Sequence, residues 1–387
     1  MSNSSLTLLF SSIGHAFMHM FAAFYFIIVL SIEIDWNLTY DELIRLWSLG
    51  ALLIGLGAIP FGWISDRWSR SSMMGIMFIS MGISSICCGL SSTTTGLFIG
   101  LSFLGLACSI YHPVGIAWVI NSSSKKGMAL GINGIFGGVG IGSGAFIAGF
   151  LLKYFNWKLT FMFPGIISIF LGLLLIYLIY KKKISFTNNK NLFVNKKKTT
   201  NDLIIIAIIM LFAMFGLGIT FQIMQTSLPK IFDIRLNDYS TFRIGIIIGT
   251  IYFIAGLMTF LGGILADKYS LKKIYLIGLA GQAPCYLSIA YFTGFPLILV
   301  CLFAAMFNSS ILPAENILLS KFTPEKHHGF IYGCKFIIAF GSGPLAVFLV
   351  AKIYEITFEF TNLFLISSMI MLFIFTIVLF LPVKNKI

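Results

Sequence analysis

The sequence predicts an all-α integral membrane protein in which twelve transmembrane helices form two pseudo-symmetric six-helix bundles. Three observations predict this class: a small share of charged residues, long continuous apolar runs, and a short motif that recurs in the second half. Only 10% of the 387 residues are charged and 58% are hydrophobic, whereas a soluble domain carries about 25% charged residues. Such a chain cannot cover a water-facing surface, so we expect the lipid bilayer to be its solvent.

The apolar runs favour helices over a membrane β-barrel. Runs such as 203–217 and 363–381 are continuous, whereas barrel strands alternate apolar and polar residues over segments of about ten. A bilayer core about 30 Å thick requires roughly 20 residues in helical form. Six helices are predicted in the first half, near 7–31, 45–64, 73–90, 96–120, 128–152 and 159–180. Six more are predicted in the second half, near 203–228, 243–265, 272–292, 295–319, 329–353 and 360–382.

One long hydrophilic segment divides the chain. Residues 181–202 are rich in lysine, asparagine and threonine, a composition that favours a loop over a transmembrane helix. We therefore predict an N-terminal six-helix bundle over 1–180, a cytoplasmic basic linker over 181–202, and a C-terminal six-helix bundle over 203–387.

The basic residues are distributed unevenly between the two sides of the predicted bundle. Loops on the side of the linker hold more than twice as many lysines and arginines as the opposite loops, and such residues accumulate on the cytoplasmic side. We therefore expect both termini in the cytoplasm, and the composition suggests a bacterial cytoplasmic membrane. The net charge of +13 could indicate a nucleic-acid partner. We expect none, because the charged residues lie in loops between apolar runs. We expect a monomer without a cofactor.

The two halves share a short motif. Gly62-Trp-Ile-Ser-Asp66 recurs as Gly263-Ile-Leu-Ala-Asp267, each time after the second helix of its half and before basic residues. This recurrence indicates duplicated six-helix units, and transporters commonly bind their substrate between such repeats, near the midplane of the membrane.

The segment Gly62-Trp-Ile-Ser-Asp-Arg-Trp-Ser-Arg70 resembles the signature loop between helices 2 and 3 of the major facilitator superfamily. The resemblance implies a cytoplasmic gate formed by Gly62, Asp66, Arg67 and Arg70, with Gly263 and Asp267 as the second copy. Ser69 and Ser71 stand where the family has glycine and a basic residue, so the gate would be weaker. An ordinary basic turn remains an alternative, because short motifs give false matches.

A narrower resemblance concerns helices 1 and 4. Gly14-His15-Ala-Phe-Met-His19 and Tyr111-His112-Pro113 look like the fosmidomycin-resistance branch of the superfamily, which implies proton-driven export of small molecules. Helix 5 has the glycine-rich character of the family but lacks the proline of antiporter branches, and a Gly341-Ser-Gly-Pro344 cluster lies in helix 11 instead. Export is the direction that the resemblance implies, and uptake remains the alternative.

Few ionisable residues lie at membrane depth, where a charge costs at least about 2.5–3.5 kcal/mol, so each is a candidate functional group. His15 and His19 are spaced i, i+4 and share one helix face. Imidazole can carry protons near neutral pH, and these rings are predicted to couple protons or bind substrate. Hydrogen-bonded core histidines are the alternative. We expect no metal site, because a zinc site needs more ligands than this pair supplies.

His112 and Glu315 are predicted for the same roles. His112 precedes Pro113, which kinks helix 4, and Glu315 follows Pro313 in helix 10. Superfamily members line the central cavity with helices 1, 4, 7 and 10, which carry these residues. Glu315 could instead pair with Lys321 or Lys335, although we expect the long Lys335 side chain to extend to the interface.

Six further polar residues are weaker candidates for substrate binding: Tyr25, Tyr111, Asn133, Gln222, Gln225 and Asn316. The alternative is that they bond neighbouring helices. Altogether the sequence predicts a secondary active transporter of a small organic solute, proton-coupled and exporting, and not an enzyme. An uptake symporter or a uniporter is the first alternative. A channel or a membrane enzyme is less favoured, because neither a repeated filter-like loop nor an interfacial polar cluster is present.

Overall fold

The computed structural model describes residues 2–123, 126–184, 200–236, 239–322, 335 and 337–382. Within these ranges, twelve helices are long and apolar enough to cross a membrane, as the hydrophobic runs predict. The six helices of the first half are α1 Asn3–Trp36, α2 Tyr40–Arg67, α3 Arg70–Leu90, α4 Thr94–Ser122, α5 Lys126–Tyr154 and α6 Trp157–Tyr180. Those of the second half are α7 Thr200–Arg235, α8 Thr241–Lys268, α9 Leu271–Tyr291, α10 Gly294–Phe322, α11 Ile337–Thr357 and α12 Thr361–Leu379.

The largest differences from the predicted helix boundaries are at Arg235, where α7 ends seven residues later, at Trp36, where α1 ends five later, and at Tyr40, where α2 begins five earlier. Two further differences lie next to residues that the structure does not describe. Helix α7 begins at Thr200, inside the segment predicted as linker, and most of the rest of that segment lies outside the described residues. The first residues of the predicted eleventh helix, from 329 onward, also lie largely outside them, so α11 is described as a continuous span from Ile337.

Helix α4 is broken near its middle. Its two parts are Thr94–Cys108 and Tyr111–Ser122, separated by a turn at Ser109 and Ile110. The turn lies before Pro113, and Pro113 occupies the first turn of the second part, where its missing N–H removes no helical hydrogen bond. The break therefore precedes the Tyr111-His112-Pro113 motif, and His112 lies on the second part of the helix, after the turn.

Helices α5 and α8 form a close contact between the two halves. A Cβ atom placed on Gly138 would lie 2.5 Å from the Cα atom of Gly256, and one on Gly142 would lie 2.7 Å from the Gly249 carbonyl oxygen. Only glycine permits backbones to approach so closely, as small residues do in membrane helix packing.

Opposite the linker, the two halves are joined by polar contacts; we call this the far end of the molecule, and the other the linker end. Three links cross between the halves there: Lys230 Nζ to Glu33 Oε2 (2.7 Å), Arg45 Nη2 to Glu355 Oε2 (2.5 Å), and Tyr40 Oη to the Thr226 carbonyl oxygen (3.0 Å). The far end is therefore closed.

Toward the linker end, the glycines of α5 and α8 have free space beside them. A Cβ atom on Gly131, Gly134 or Gly263 would meet no atom within 4 Å, in contrast to the tight contacts at Gly138 and Gly142. Among the described residues, the two halves thus approach each other at the far end and diverge toward the linker end.

Candidate functional site

The structure brings three histidines together in the first half. One ring nitrogen each of His15, His19 and His112 lies within 4.8 Å of the others, and the ring centroids are 4.9 to 5.5 Å apart. We call these residues the histidine cluster. His15 and His112 are buried and His19 is half-buried. The sequence paired His15 with His19 by helical spacing and placed His112 on another cavity-lining helix, but it did not predict that the three rings are in contact.

The orientation of His15 is set by its neighbours. Its Nδ1 lies 2.8 Å from the backbone carbonyl oxygen of Asn133. A carbonyl oxygen only accepts hydrogen bonds, so Nδ1 donates, and Nε2 of the neutral ring keeps its lone pair. The Tyr111 ring stacks on His15 with centroids 4.6 Å apart, and Tyr111 Oη donates to Asn133 Oδ1 at 2.9 Å. Tyr111 and Asn133, predicted as substrate ligands, are buried and orient His15.

Two residues that the sequence did not single out as site residues also contact the histidine cluster. A Cβ atom on Gly137 would lie 3.0 Å from Cε1 and from Nε2 of His15, so this glycine leaves room for the imidazole. Phe340 of α11 lies 4.9 Å from the His112 ring and 6.4 Å from the His19 ring, and thus connects the second half to the cluster. Gly137 had a signal in the glycine-rich helix, whereas Phe340 is one of 40 phenylalanines.

A small cavity of about 20 Å³ lies between the halves, beside the histidine cluster. In this conformation the space is about that of one water molecule. Among the lining residues are His19, Phe26, Trp47, Gln222, Gln225 and Phe340. Gln222 and Gln225 thus line the cavity as substrate ligands would. Tyr25 does not, because it is fully buried and its hydroxyl donates to the Leu43 carbonyl at 2.6 Å.

A second polar cluster lies in the other half, around Glu315. The carboxylate is buried, with Lys335 Nζ 2.5 Å from Oε1 and Tyr275 Oη donating to Oε2 at 2.9 Å. Lys335 also donates to Asn316 Oδ1 at 2.6 Å, so Asn316, predicted as a substrate ligand, holds the lysine.

The expectation that Lys335 extends to the interface is wrong. The Lys335 side chain is only 8% exposed, and it pairs with Glu315. Pairing with a lysine was the alternative to a functional role for this carboxylate. The physical reason is that an isolated buried carboxylate is costly, and a cation within reach offsets that cost. The side chain of Lys321, the other predicted partner, lies outside the described residues.

The predicted gate motif forms contacts within its own loop. Arg70 Nη2 lies 2.8 Å from Asp66 Oδ1, while Arg67 donates to the Trp63 carbonyl and stacks on the indole at 4.0 Å. A Cβ atom on Gly62 would lie 3.2 Å from Cβ of Pro113, so Gly62 permits α2 to pack against the α4 segment that carries His112. In the second copy, Gly263 has free space beside it and Asp267 is exposed.

Comparison with protein families decides the class. The sequence pattern described as Major Facilitator Superfamily matches residues 12–249 and 203–386. The chain belongs to the major facilitator superfamily. It is 27% identical over 351 residues to the multi-drug resistance efflux pump PmrA homolog of Lactococcus lactis, a match that covers 85% of this chain and 83% of that protein.

Two further relatives match over a shorter range. The riboflavin transporter RibZ of Clostridioides difficile is 26% identical over 148 residues, which is 37% of this chain and 32% of that protein. The niacin transporter NiaP of Acinetobacter baylyi is 24% identical over 150 residues, 38% of this chain and 33% of that protein. The matched part of the chain therefore spans about a third of the length of each of these two relatives.

Solved structures confirm the fold. A POT family transporter in complex with 5-aminolevulinic acid superposes with a TM-score of 0.76 at 16% identity, covering 96% of this chain and 94% of that one. A bacterial homolog of the human lysosomal transporter Spinster gives 0.71 at 15% identity, covering 98% and 95%. The family and its transporter relatives establish a multi-pass membrane protein that transports and is not an enzyme, as the sequence predicts.

Proposed function

We propose that this protein is a secondary active transporter that exports a small organic solute by alternating access, coupled to protons. The observation that carries the proposal is the cavity between the two halves, closed at the far end and walled by polar groups from both sides. A site at the interface of two repeats is exposed alternately when the repeats rock against each other.

We assign substrate binding to the wall formed by His19, Gln222 and Gln225, with His15 and His112 behind His19. These groups offer hydrogen-bond donors and acceptors in an otherwise mainly apolar pocket, the arrangement expected of small-molecule sites. Phe340, which contacts the histidine cluster from the second half, would transmit the presence of a solute between the halves.

Proton coupling is assigned to Glu315 and its partner Lys335. A proton delivered to the Glu315 carboxylate would abolish the ion pair and release Lys335, because a buried charge pair is held together only while both members are charged. Protonation would thereby change the relative stability of the two conformations.

The orientation and organisation are proposed from the charge distribution and the helix order. We place the linker end and both termini in the cytoplasm of a bacterium, so the described conformation opens inward. The bundles 1–180 and 203–387 would move as units about the linker 181–202, in a monomer. Export is supported by the efflux-pump relative, which matches over most of its length. The histidines of α1 and the Tyr111-His112-Pro113 motif support a place in the fosmidomycin-resistance branch.

The first experiment identifies the solute by mass spectrometry of cells that express the wild type, Glu315→Gln or Glu42→Gln, each with and without a protonophore. Glu42→Gln is the matched control, because Glu42 is exposed and caps the start of α2, a role that glutamine also fills. We expect a solute depleted by the wild type and by Glu42→Gln, and depletion abolished by the protonophore or by Glu315→Gln. Depletion that survives both treatments would make the protein a facilitator.

A further inference from the structure

We infer that His15, His19 and His112 bind a divalent transition-metal ion inside the transport cavity. Neutral imidazole nitrogen is a preferred ligand of Zn²⁺, Co²⁺, Ni²⁺ and Cu²⁺. Three histidines with a further coordination position left open are a known arrangement for Zn²⁺. The i, i+4 pair alone would be too few ligands, but the break in α4 supplies the third.

The spacing of the cluster suits one ion. The three ring nitrogens lie within 4.8 Å of one another. Nitrogens bound to one tetrahedral Zn²⁺ at about 2.0–2.1 Å are about 3.4 Å apart. Small rotations of the histidine side chains would bring the three nitrogens from their present separation to the distance that one ion requires. Each ring contacts the other two, so no ligand has to be brought from a distance.

The surroundings of His15 give independent support. Histidines that bind metals commonly donate their other ring N–H to a carbonyl or carboxylate, which fixes the tautomer and the ring direction. His15 does this with the Asn133 carbonyl, which leaves the Nε2 lone pair as the ligand. Tyr111 stacks on the ring and Gly137 leaves the Nε2 edge uncovered by a side chain. The ring is thus held in position before any ion arrives.

The cavity supplies the open position. His19 is half-buried and lines the cavity, so an ion held by the cluster would face that space with its remaining coordination position. The solute class that this geometry favours is the metal ion itself or a small molecule with a metal-binding oxygen, nitrogen or sulfur donor. This inference deepens the proposed function and rests on it for the assignment of the cavity to transport.

The test is a titration of the purified full-length protein with Co²⁺ in detergent, using an affinity tag without histidines. We expect one Co²⁺ per chain, with the visible absorption of a four-coordinate ion, and competition by Zn²⁺. Loss of a residue that only orients a metal ligand weakens binding by about 10–100-fold. Because His19 and His112 are proposed as ligands themselves, His19→Gln and His112→Gln should each weaken Co²⁺ binding by more than about 100-fold. The control is the double variant His327→Gln/His328→Gln, which removes the two other histidines of the chain and should bind as the wild type does.

Two results would overturn the inference. One is the absence of Co²⁺ and Zn²⁺ binding by the wild type. The other is binding that survives His19→Gln and His112→Gln, whether or not it is lost in the His327→Gln/His328→Gln control. Size-exclusion profiles and circular dichroism identify a variant that has not folded. Because binding is measured without a proton gradient, its failure leaves proton-coupled transport untouched, and failure of the cellular experiment leaves the metal site untouched.

Discussion

The imidazole of His15 lies between a carbonyl oxygen, a tyrosine ring and a glycine. Its hydrogen bond to Asn133 and its stacking on Tyr111 hold the ring, while Gly137 leaves the space beside Nε2. At the scale of single residues, the site therefore depends as much on residues that position a functional group as on the group itself. Tyr111 and Asn133 are positioning residues, although their side chains are of types that also bind solutes.

Gly137→Ala tests the space reserved for His15. The added methyl group would lie 3.0 Å from two ring atoms and must displace a ring that is already stacked and hydrogen-bonded. We expect a loss of about 1–3 kcal/mol in the free energy of unfolding, the usual cost of overpacking, and weaker Co²⁺ binding. Gly131→Ala, on the same helix with no atom within 4 Å, should leave the free energy of unfolding unchanged or raise it by up to about 1 kcal/mol. Equal effects of the two substitutions, by thermal unfolding in detergent, would contradict this.

Glu315 and Lys335 form a buried pair that can be tested by a double-mutant cycle. Removing one member leaves a buried charge without its partner, so Glu315→Gln or Lys335→Met should each lower the free energy of unfolding by about 3–5 kcal/mol. Removing both should cost much less than the sum of the two single changes, because no uncompensated charge remains. The measurement is unfolding in mixed micelles, and additive single and double effects would show that the pair is not coupled.

At the scale of helices, the turn at Ser109 and Ile110 and the close approach of α5 and α8 decide where the site lies. The sequence predicted a kink from Pro113, and the break was found just before that residue. The glycines of α5 that contact α8 occupy the far-end part of that helix, whereas Gly131 and Gly134 nearer the linker end have free space. The same glycine-rich pattern therefore serves two different environments, which composition cannot distinguish.

Arg235 ties α7 to the connection between α11 and α12. It donates to Glu359 through Nε at 2.8 Å and also forms an ion pair with it. Burial raises the pKa of Glu359, but the hydrogen bonds from Arg235 and the Phe360 N–H and the arginine charge together hold it below the ordinary value.

Because the folded pKa of Glu359 is lowered, the contact stabilises the protein above the unfolded pKa, near 4.5, and that contribution is lost as the pH falls through the folded value. We expect the wild type to exceed Glu359→Gln in stability at pH 7 by on the order of 1 kcal/mol or less, since the pair is partly exposed. The difference should vanish at pH values below the folded pKa. Thermal unfolding across this range checks it, and a gap that grows on acidification would contradict it.

At the scale of the whole molecule, the far-end links hold one conformation. Lys230 is buried and contacts Glu33 across the halves, whereas the side chain of Arg45 is 38% exposed where it contacts Glu355. Exposed ion pairs contribute about 0–1 kcal/mol to stability, whereas removal of one member of a buried ion pair is strongly destabilising. The closed far end should therefore depend on Lys230 more than on Arg45.

The contributions of Lys230 and Arg45 to closure of the far end can be compared with a cysteine reporter. The reporter is Thr226→Cys, at a position that lines the cavity, in a protein whose native cysteines are replaced. Labelling of Thr226→Cys by a membrane-impermeant maleimide from the far side reports opening of that end. We expect Lys230→Met to raise the labelling rate by about 10-fold, which corresponds to roughly 1.4 kcal/mol, and Arg45→Met by less than about threefold. A larger effect of Arg45→Met would contradict the assignment of the main link.

The sequence by itself predicted the helical membrane class, the superfamily and the twelve helices found among the described residues. Long apolar runs have few alternatives in a bilayer, where the backbone must satisfy its own hydrogen bonds, and the loop motif and its repeat are local patterns. Only the tertiary structure decided which polar residues meet. His112 joins His15 and His19, Lys335 pairs with Glu315, and Phe340 reaches the cluster from the other half, because these neighbours are set by helix packing between segments far apart in the chain.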